Sequence, residues 1–351
     1  MGINNHLSKG IVKNDVPFFI VGCPRSGTTL LQLLIDSHPN IAIPPESHIF
    51  VRFSKIFRYY GDLSKDTNLR LLIRDLLNDY HIKDWKLGVS IPEFCEMLEE
   101  RTLRGVIFTL LGIYAKKEGK KRWGDKTPQH ALHLKEIIKI FPKAKFIHLV
   151  RDGRDVAVSS SRTIVGPPSI YGIAKEWKKY ISIFSDFKES LDKCRYHEIR
   201  YEDLVQNPQK EMDKTFHFLD EEPISIGPEV PNTAAKNYYL QTDEHMLSLK
   251  LPITTKKICS FKNVLSEREI AIFEFMAKYA LRRYGYQLES TGYTEIRKEE
   301  LIYFYLKDKV YRYYRKYVRP TELDKAWILA RREFQFYIRT FLRSTLSSIK
   351  N

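Results

Sequence analysis

The chain has 351 residues, and 58 Lys+Arg against 43 Asp+Glu give it a formal net charge of +15. Hydrophobic residues make up 43% and charged residues 29%, which excludes a disordered chain and leaves ample sequence for a buried core. Cys23, Cys95, Cys194 and Cys259 lie far apart, without a CxxC pair or metal-ligand spacing, so a disulfide scaffold or zinc module is excluded and a reducing compartment is expected.

The N-terminal arm, residues 1–16, has no apolar core of signal-peptide length, and Leu7 stands where a myristoylation signal would want Ser or Thr. No stretch approaches the ~20 apolar residues of a membrane span. A soluble, cytoplasmic protein with a basic surface is the expectation.

PFFIVG (17–22) is a short apolar run ending in glycine, as in a buried parallel strand. After the loop CPRSG comes TTLLQLLIDS, whose leucine spacing gives one apolar helix face before the stop at Pro39. IAIPPE (41–46) reads as a second strand closed by two prolines. From about residue 50 to 118 strand signals are missing, and LRLLIRDLLNDY and IPEFCEMLEERTLRGVIFTLLGIYA have helical spacing, so a helical insertion is expected. KRWGDKTP (121–128) returns towards the sheet, and a helix over 131–140 follows. KFIHLV (145–150) is the clearest strand and runs into RDGRD and the helical VAVSSSR. RYHEIRYEDLV (195–205) reads as strand and turn, and a helix over 270–286 closes the unit. Strands alternating with helices imply an α/β fold: a P-loop-like three-layer arrangement with a central, mainly parallel sheet.

GCPRSGTT (22–29) places glycines at 22 and 27, at a strand-to-helix junction. Backbone N–H groups and the positive helix end there can cradle an anion; the bland alternative is a plain Gly-Pro turn. Against the nucleoside-triphosphatase pattern GxxxxGK[ST], Thr28 stands at the lysine position and Arg25 is the nearby cation. A triphosphate site relies on lysine and Mg²⁺, whereas one arginine and two hydroxyls suit a less charged donor end such as a phosphosulfate. In HLVRDGRDVAVSSSR (148–162), Arg151 follows the strand and Ser159 lies eight residues on. Both can meet one phosphate, or the segment is a surface loop whose Asp and Arg residues pair with one another.

Taken together, VGCPRSGTTLLQLLIDSHP, GDKTP, FIHLVRDGRDVAVSS and RYEDLVQNP resemble the sulfotransferases that use 3′-phosphoadenosine 5′-phosphosulfate (PAPS), in the branch of tyrosylprotein and many bacterial sulfotransferases. The resemblance runs from about residue 17 to 286. It implies that Arg25, Ser26, Gly27, Thr28 and Thr29 hold the 5′-phosphosulfate, that Arg151 and Ser159 hold the 3′-phosphate, and that Tyr201 lies beside the nucleotide. It further implies Glu46 as general base and Lys126 as a cation near the sulfuryl group, with PAP as product and no metal. The chemistry agrees: an attacking hydroxyl must lose its proton, and charge developing on the leaving oxygen is stabilised by Arg25 and Lys126. The plainer alternatives are Glu46 as a cap of the next helix and Lys126 as a surface cation. His48, two residues from Glu46, would share its side of an extended segment and could also contact the acceptor. His130 and His133 would sit on a helix face. TTKKICSFKN (254–263) stands where the family's nucleotide-closing loop belongs, without a confident match; Lys256 or Lys257 could reach the 3′-phosphate, and a solvated basic loop is the plainer reading.

The expected organisation is an arm (1–16), a sulfotransferase domain (17–290, insertion about 50–118) and a helical extension (291–351). The extension holds 14 Lys+Arg and 7 Asp+Glu, a net of +7, and the aromatic run LIYFYLKDKVYRYYRKYVRP. It reads first as helices packed on the core, then as a peripheral contact with an anionic membrane through segments such as WILARREFQFYIRTFLR; nucleic acid is disfavoured. The tyrosylprotein enzymes normally carry an N-terminal membrane anchor that this sequence does not show, so the expected acceptor is the hydroxyl of a carbohydrate, lipid-linked glycan or small metabolite. An ATP-dependent phosphotransferase, disfavoured by Thr28, and a non-catalytic nucleotide- or membrane-binding protein are the rival readings.

Overall fold

Phe18–Gly22 forms strand β1, every residue of it buried. In the computed structural model, which describes residues 16–161, 166–227, 252–290 and 295–317, β1 lies in the middle of a five-stranded sheet of order β2-β3-β1-β4-β5. The other strands are β2 (Ile41–Ala42), β3 (Arg122–Lys126), β4 (Lys145–Val150) and β5 (Tyr196–Arg200). β1 pairs in parallel with β3 and β4, and β2 pairs in parallel with β3. This is the expected α/β class, a central parallel sheet with flanking helices. Parallel strands with both faces covered are apolar throughout, as FFIVG shows.

The described residues fall into two compact units. The first comprises 16–22, 27–149, 187–227 and 252–254; the second comprises 23–26, 150–161, 166–186, 255–290 and 295–317. In the first, the rings of Phe50, Trp123, Phe141 and Phe146 lie 5.9–6.5 Å from that of Phe19. Each such buried aromatic contributes about 1.5–3 kcal/mol of transfer free energy.

Helix α1 (Thr28–Asp36) follows β1. Between β2 and β3 every regular element is helical: α2 (Ile49–Phe53), a 3₁₀ turn (Phe57–Tyr60), α3 (Asp66–Leu77), α4 (Tyr80–Lys83), α5 (Ile91–Glu96) and α6 (Leu103–Lys117). Their starts are written locally. Ser90 and Glu93 form a capping box on α5, and the Thr102 side chain accepts from Gly105 N at the start of α6.

Several boundaries differ from the sequence expectation. The 41–46 run pairs only over Ile41–Ala42, because Ile43 N donates to Asp36 Oδ1 (2.8 Å) and the two prolines that follow have no N–H for a ladder. Residues 128–133 form a 3₁₀ turn, and α7 begins only at Leu134 (Leu134–Ile140). After β5 the chain enters a helix rather than a turn, α10 (Tyr201–Gln206), with Glu202 and Asp203 favouring its positive end; α11 (Pro208–Phe218) continues.

The second unit contains α8 (Gly153–Ser161) and most of α9 (Ile170–Glu189). The expected 270–286 helix is α12 (Glu267–Arg283), started earlier by a Ser266/Glu269 capping box. The described part of the C-terminal extension is α13 (Lys298–Tyr317). The N-terminal arm up to residue 15 and the segment WILARREFQFYIRTFLR lie outside the described residues.

Candidate active site

Two of the sequence motifs leave the carboxyl ends of adjacent strands. Gly22 at the end of β1 pairs with Leu149 near the end of β4, and the chain there continues into the 22–29 loop and into Arg151. In an open parallel sheet the point where one connection runs to the β3 side and the other to the β4 side is the switch point, the usual place for ligands.

In the first unit, Gly27 is the N-cap of α1 with φ 99°, in the left-handed region that glycine accepts without strain. A Cβ there would also lie 2.6 Å from the Tyr201 ring, so both backbone and neighbour require glycine. Tyr201 is thus placed against the loop end, where the resemblance put it beside the nucleotide. No side chain caps α1, and its first turn has no acidic residue. The N–H groups at Thr28 and Thr29 open the positive end of a nine-residue helix. That arrangement fits a phosphate or phosphosulfate.

Glu46 is placed by α1. Gln32 Nε2 donates to the carbonyls of Ile43 (3.2 Å) and Pro44 (2.9 Å), while Asp36 accepts from Ile43 N. Glu46 Oε1 then lies 2.5 Å from Lys126 Nζ, at the carboxyl end of β3, and Lys126 Nζ also donates to Thr29 Oγ1 (3.4 Å). Lys126 is only 1% exposed, so it is no surface cation. Nor does Glu46 cap a helix: α2 starts at Ile49, with His48 at the N-cap and Ser47 Oγ accepting from Ile49 N. Burial raises the Glu46 carboxyl, but Lys126 and hydrogen bonding from His48 outweigh it and hold it well below the usual carboxylate range.

His48 does reach Glu46, its Nε2 lying 3.0 Å from Oε2. The cause is not an extended strand, because His48 has φ 50° and sits in a left-handed turn. Its ring packs 4.1 Å from that of His81. Burial, with the charges of His48 and Arg52, pushes the His81 imidazole down to about 3, so it is neutral at ordinary pH. His130 is fully buried and accepts from Phe50 N (3.4 Å), and His133 Nδ1 lies 3.4 Å from Ser54 Oγ; both serve packing contacts.

Sequence reasoning passed over Asp125, inside GDKTP. It accepts from Ser47 Oγ and from Thr127 Oγ1 (3.0 Å), and Thr127 Oγ1 accepts in turn from His48 N (3.3 Å). Asp125 therefore pins the 46–48 turn to β3. Burial pushes its carboxyl up to about 6 despite those hydrogen bonds. The motif drew attention to this position, but its partner Ser47 lies 78 residues away, and nothing local signals the pairing.

In the second unit, Arg25 stands in the left-handed region (φ 72°) and its Nε donates to Ser159 Oγ (3.3 Å) on α8. Arg151 Nη1 donates to the Arg25 carbonyl (3.4 Å) and Nη2 to that of Lys257 (2.9 Å), while Trp177 Nε1 fixes the Arg151 carbonyl. Arg25, Arg151 and Ser159 thus gather in one place, with the 255–263 turn beside them through its backbone; Lys256 and Lys257 are exposed. The Ser26 hydroxyl is buried with no hydrogen-bond partner among the described residues. A buried hydroxyl without a partner is costly and fits a loop built to meet a polar ligand. The Asp–Arg pairing of RDGRD is real but internal: Arg154 binds Asp152 (2.7 Å) and Glu274 (2.5 Å), and Asp155 accepts from Cys259 N, Ser260 Oγ and Phe261 N. Asp155 thereby holds the 255–263 turn.

Fold and site together define a protein of the phosphate-loop α/β class whose loop lacks the lysine of a triphosphatase. A profile of the sulfotransferase family matches residues 17–224, and the chain belongs to that family. It is 29% identical over 208 residues to a protein-tyrosine sulfotransferase of Drosophila melanogaster, covering 58% of this chain and 37% of that protein. Against protein-tyrosine sulfotransferase 1 of Danio rerio it is 29% identical over 218 residues, covering 60% of this chain and 55% of that one. The chain therefore spans between about a third and a little over half of these two relatives' length. The sulfotransferase domain of the Synechococcus PCC 7002 olefin synthase shares the fold, with TM-score 0.53 and 21% identity, covering 79% of this chain and 96% of that domain.

Proposed function

We propose that the chain transfers a sulfuryl group from PAPS to a hydroxyl acceptor, releasing PAP. The observation that carries this is the buried Lys126 ammonium, which bonds both Glu46 and the first-turn Thr29 of the anion-cradling helix. One cation thereby joins a base to the donor's position. Ser26, Gly27, Thr28 and Thr29 would hold the phosphosulfate, with Arg25 next to them in the chain; Arg151 and Ser159 would hold the 3′-phosphate, and Tyr201 would flank the nucleotide. Glu46 takes the acceptor's proton as the acceptor oxygen bonds to sulfur, and the bond from sulfur to the 5′-phosphate oxygen breaks. Lys126 and Arg25 stabilise the charge left on that oxygen. The helical insertion, which starts directly after Glu46, would supply part of the acceptor wall.

A second reading concerns the acceptor. The sequence favours a carbohydrate, lipid-linked glycan or small metabolite. The names of the relatives favour a phenol instead, such as a protein tyrosine.

Thermal unfolding with PAP, beside ATP–Mg²⁺ and AMP, tests the donor. A ligand at about 100 times its dissociation constant stabilises the fold by roughly 2.7 kcal/mol. PAP alone should raise the midpoint, and Arg151→Ala should abolish the rise; a rise with ATP–Mg²⁺ instead would return the loop to kinase chemistry. Sulfuryl transfer from labelled PAPS to tyrosyl peptides, sugars and glycolipids, with Glu46→Gln as the inactive control, then decides the acceptor.

A further inference from the structure

Helix α13 is attached to the second unit along one row of side chains. Glu300 accepts from Arg268 (2.9 and 2.5 Å) and from Arg297 N (2.9 Å), Phe304 stacks on Tyr171 with ring planes 2° apart, and Asp308 accepts from Ser169 N (3.1 Å). Positions 300, 304 and 308 are four apart and lie on one face. Two of the helix's acidic side chains are thereby turned inward and bonded, leaving Glu299 as its exposed acid.

The opposite face is apolar and open. Ile302, Leu306, Val310 and Tyr313 are 59%, 51%, 63% and 64% exposed, at a spacing that keeps them in one stripe. Tyr303 and Tyr305 flank the stripe, each with a lysine over its ring: Lys307 at 5.7 Å and Lys309 at 5.5 Å. A soluble surface rarely leaves large apolar side chains such as Ile302, Leu306 and Val310 exposed together. Among the described residues no helix is long and apolar enough to cross a membrane.

We propose that α13 is an interfacial helix that seats the protein on an anionic lipid surface. Ile302, Leu306, Val310 and Tyr313 enter the boundary between headgroups and acyl chains, and Lys307 and Lys309 extend to the headgroup phosphates. Charge selects this occupant over a second copy of the chain. Glu300 and Asp308 are engaged inward while Lys298, Lys307 and Lys309 are exposed, and residues 291–351 carry a net of +7 within a chain of +15. Two such chains repel one another, whereas an anionic leaflet attracts each of them. The proposal stands apart from the catalytic reading, because none of its residues belongs to the site.

The test is co-sedimentation of the full chain with vesicles of phosphatidylcholine and phosphatidylserine, beside vesicles of phosphatidylcholine alone. Binding should favour the anionic vesicles by about tenfold or more and fall as salt is raised. Leu306→Asp/Val310→Asp should cut it by about tenfold or more, and Lys307→Glu/Lys309→Glu should remove most of the preference for the anionic lipid. Both variants should keep the unfolding midpoint and any response to PAP of the parent chain, since the inward row is untouched. Equal binding of parent and both variants overturns the proposal, and so does failure to bind anionic vesicles. Light scattering supplies the remaining outcome: a concentration-dependent dimer, lost in Leu306→Asp/Val310→Asp and without vesicle binding, would assign the stripe to a second copy and overturn the lipid assignment.

Discussion

Lys126 Nζ lies 2.5 Å from Glu46 Oε1, across 80 residues of chain, and the lysine is buried while the carboxylate keeps 30% of its side-chain surface. A buried ammonium needs its partner to remain charged. The charge states of Glu46 and Lys126 are therefore set by one interaction, and altering either residue changes the other.

Lys126→Ala should release the Glu46 carboxyl upwards towards its ordinary range and remove the cation from the leaving oxygen. Turnover should fall by about 10²–10³, the usual effect of deleting one electrostatic stabiliser. PAP binding should persist, because the loop and Arg151 are intact. Steady-state release of PAP, with PAP titration as control, measures both. A loss of PAP binding equal to the loss of rate would place Lys126 in ground-state binding instead.

Gly27→Ala combines a left-handed backbone with a Cβ 2.6 Å from the Tyr201 ring. The backbone term alone costs about 1–2 kcal/mol. The ring must move as well, so donor affinity should drop by more than the loss of fold stability suggests. Adding Tyr201→Ala to Gly27→Ala should restore part of the stability by removing the clash, while PAP affinity stays low. Calorimetric titration with PAP and urea unfolding on the single and double variants would show this.

Asp125 gives a pH dependence whose sign is opposite to that of Glu46. Its folded pKa is raised to about 6 by burial, above the reference 3.8, so between those values the folded state binds the proton more tightly. Stability contributed at low pH is therefore lost as pH rises from about 4 to about 6, and the loss is complete above that, on the order of 3 kcal/mol. Glu46, depressed, contributes stability above its unfolded value and loses it as pH falls. Asp125→Asn should remove the downward slope between pH 4 and 6 and leave the midpoint at pH 7 unchanged or higher. It should also lower turnover, because the Ser47 and Thr127 anchors of the Glu46 turn are weakened. Thermal midpoints across that pH range check the slope; an unaltered slope would show that Asp125 is ionised throughout.

The phosphate-type loop, the strand before it and the helix after it were legible because each is local. Apolar run, glycine, hydroxyl pair and leucine spacing all act within a dozen residues. The same holds for KFIHLV and for the helical insertion, whose periodicity and caps are written in sequence. Boundaries were misread where a distant or competing hydrogen bond decides, as when Asp36 takes the N–H of Ile43 and ends β2 after two residues.

The sequence by itself thus determined the residue types of the site, its α/β class and its basic charge, since composition and short-range period carry those. The tertiary structure alone decided that Lys126 is buried against Glu46, that Asp125 clamps the turn beside it, and that Arg25 meets Ser159 and Arg151. Those pairings span between 78 and 134 residues. Strand order decides them, because it brings together segments that no local pattern connects. On α13 the division is the same: the sequence shows a basic, aromatic helix, and only packing decides that Glu300 and Asp308 turn inward and its apolar stripe faces out.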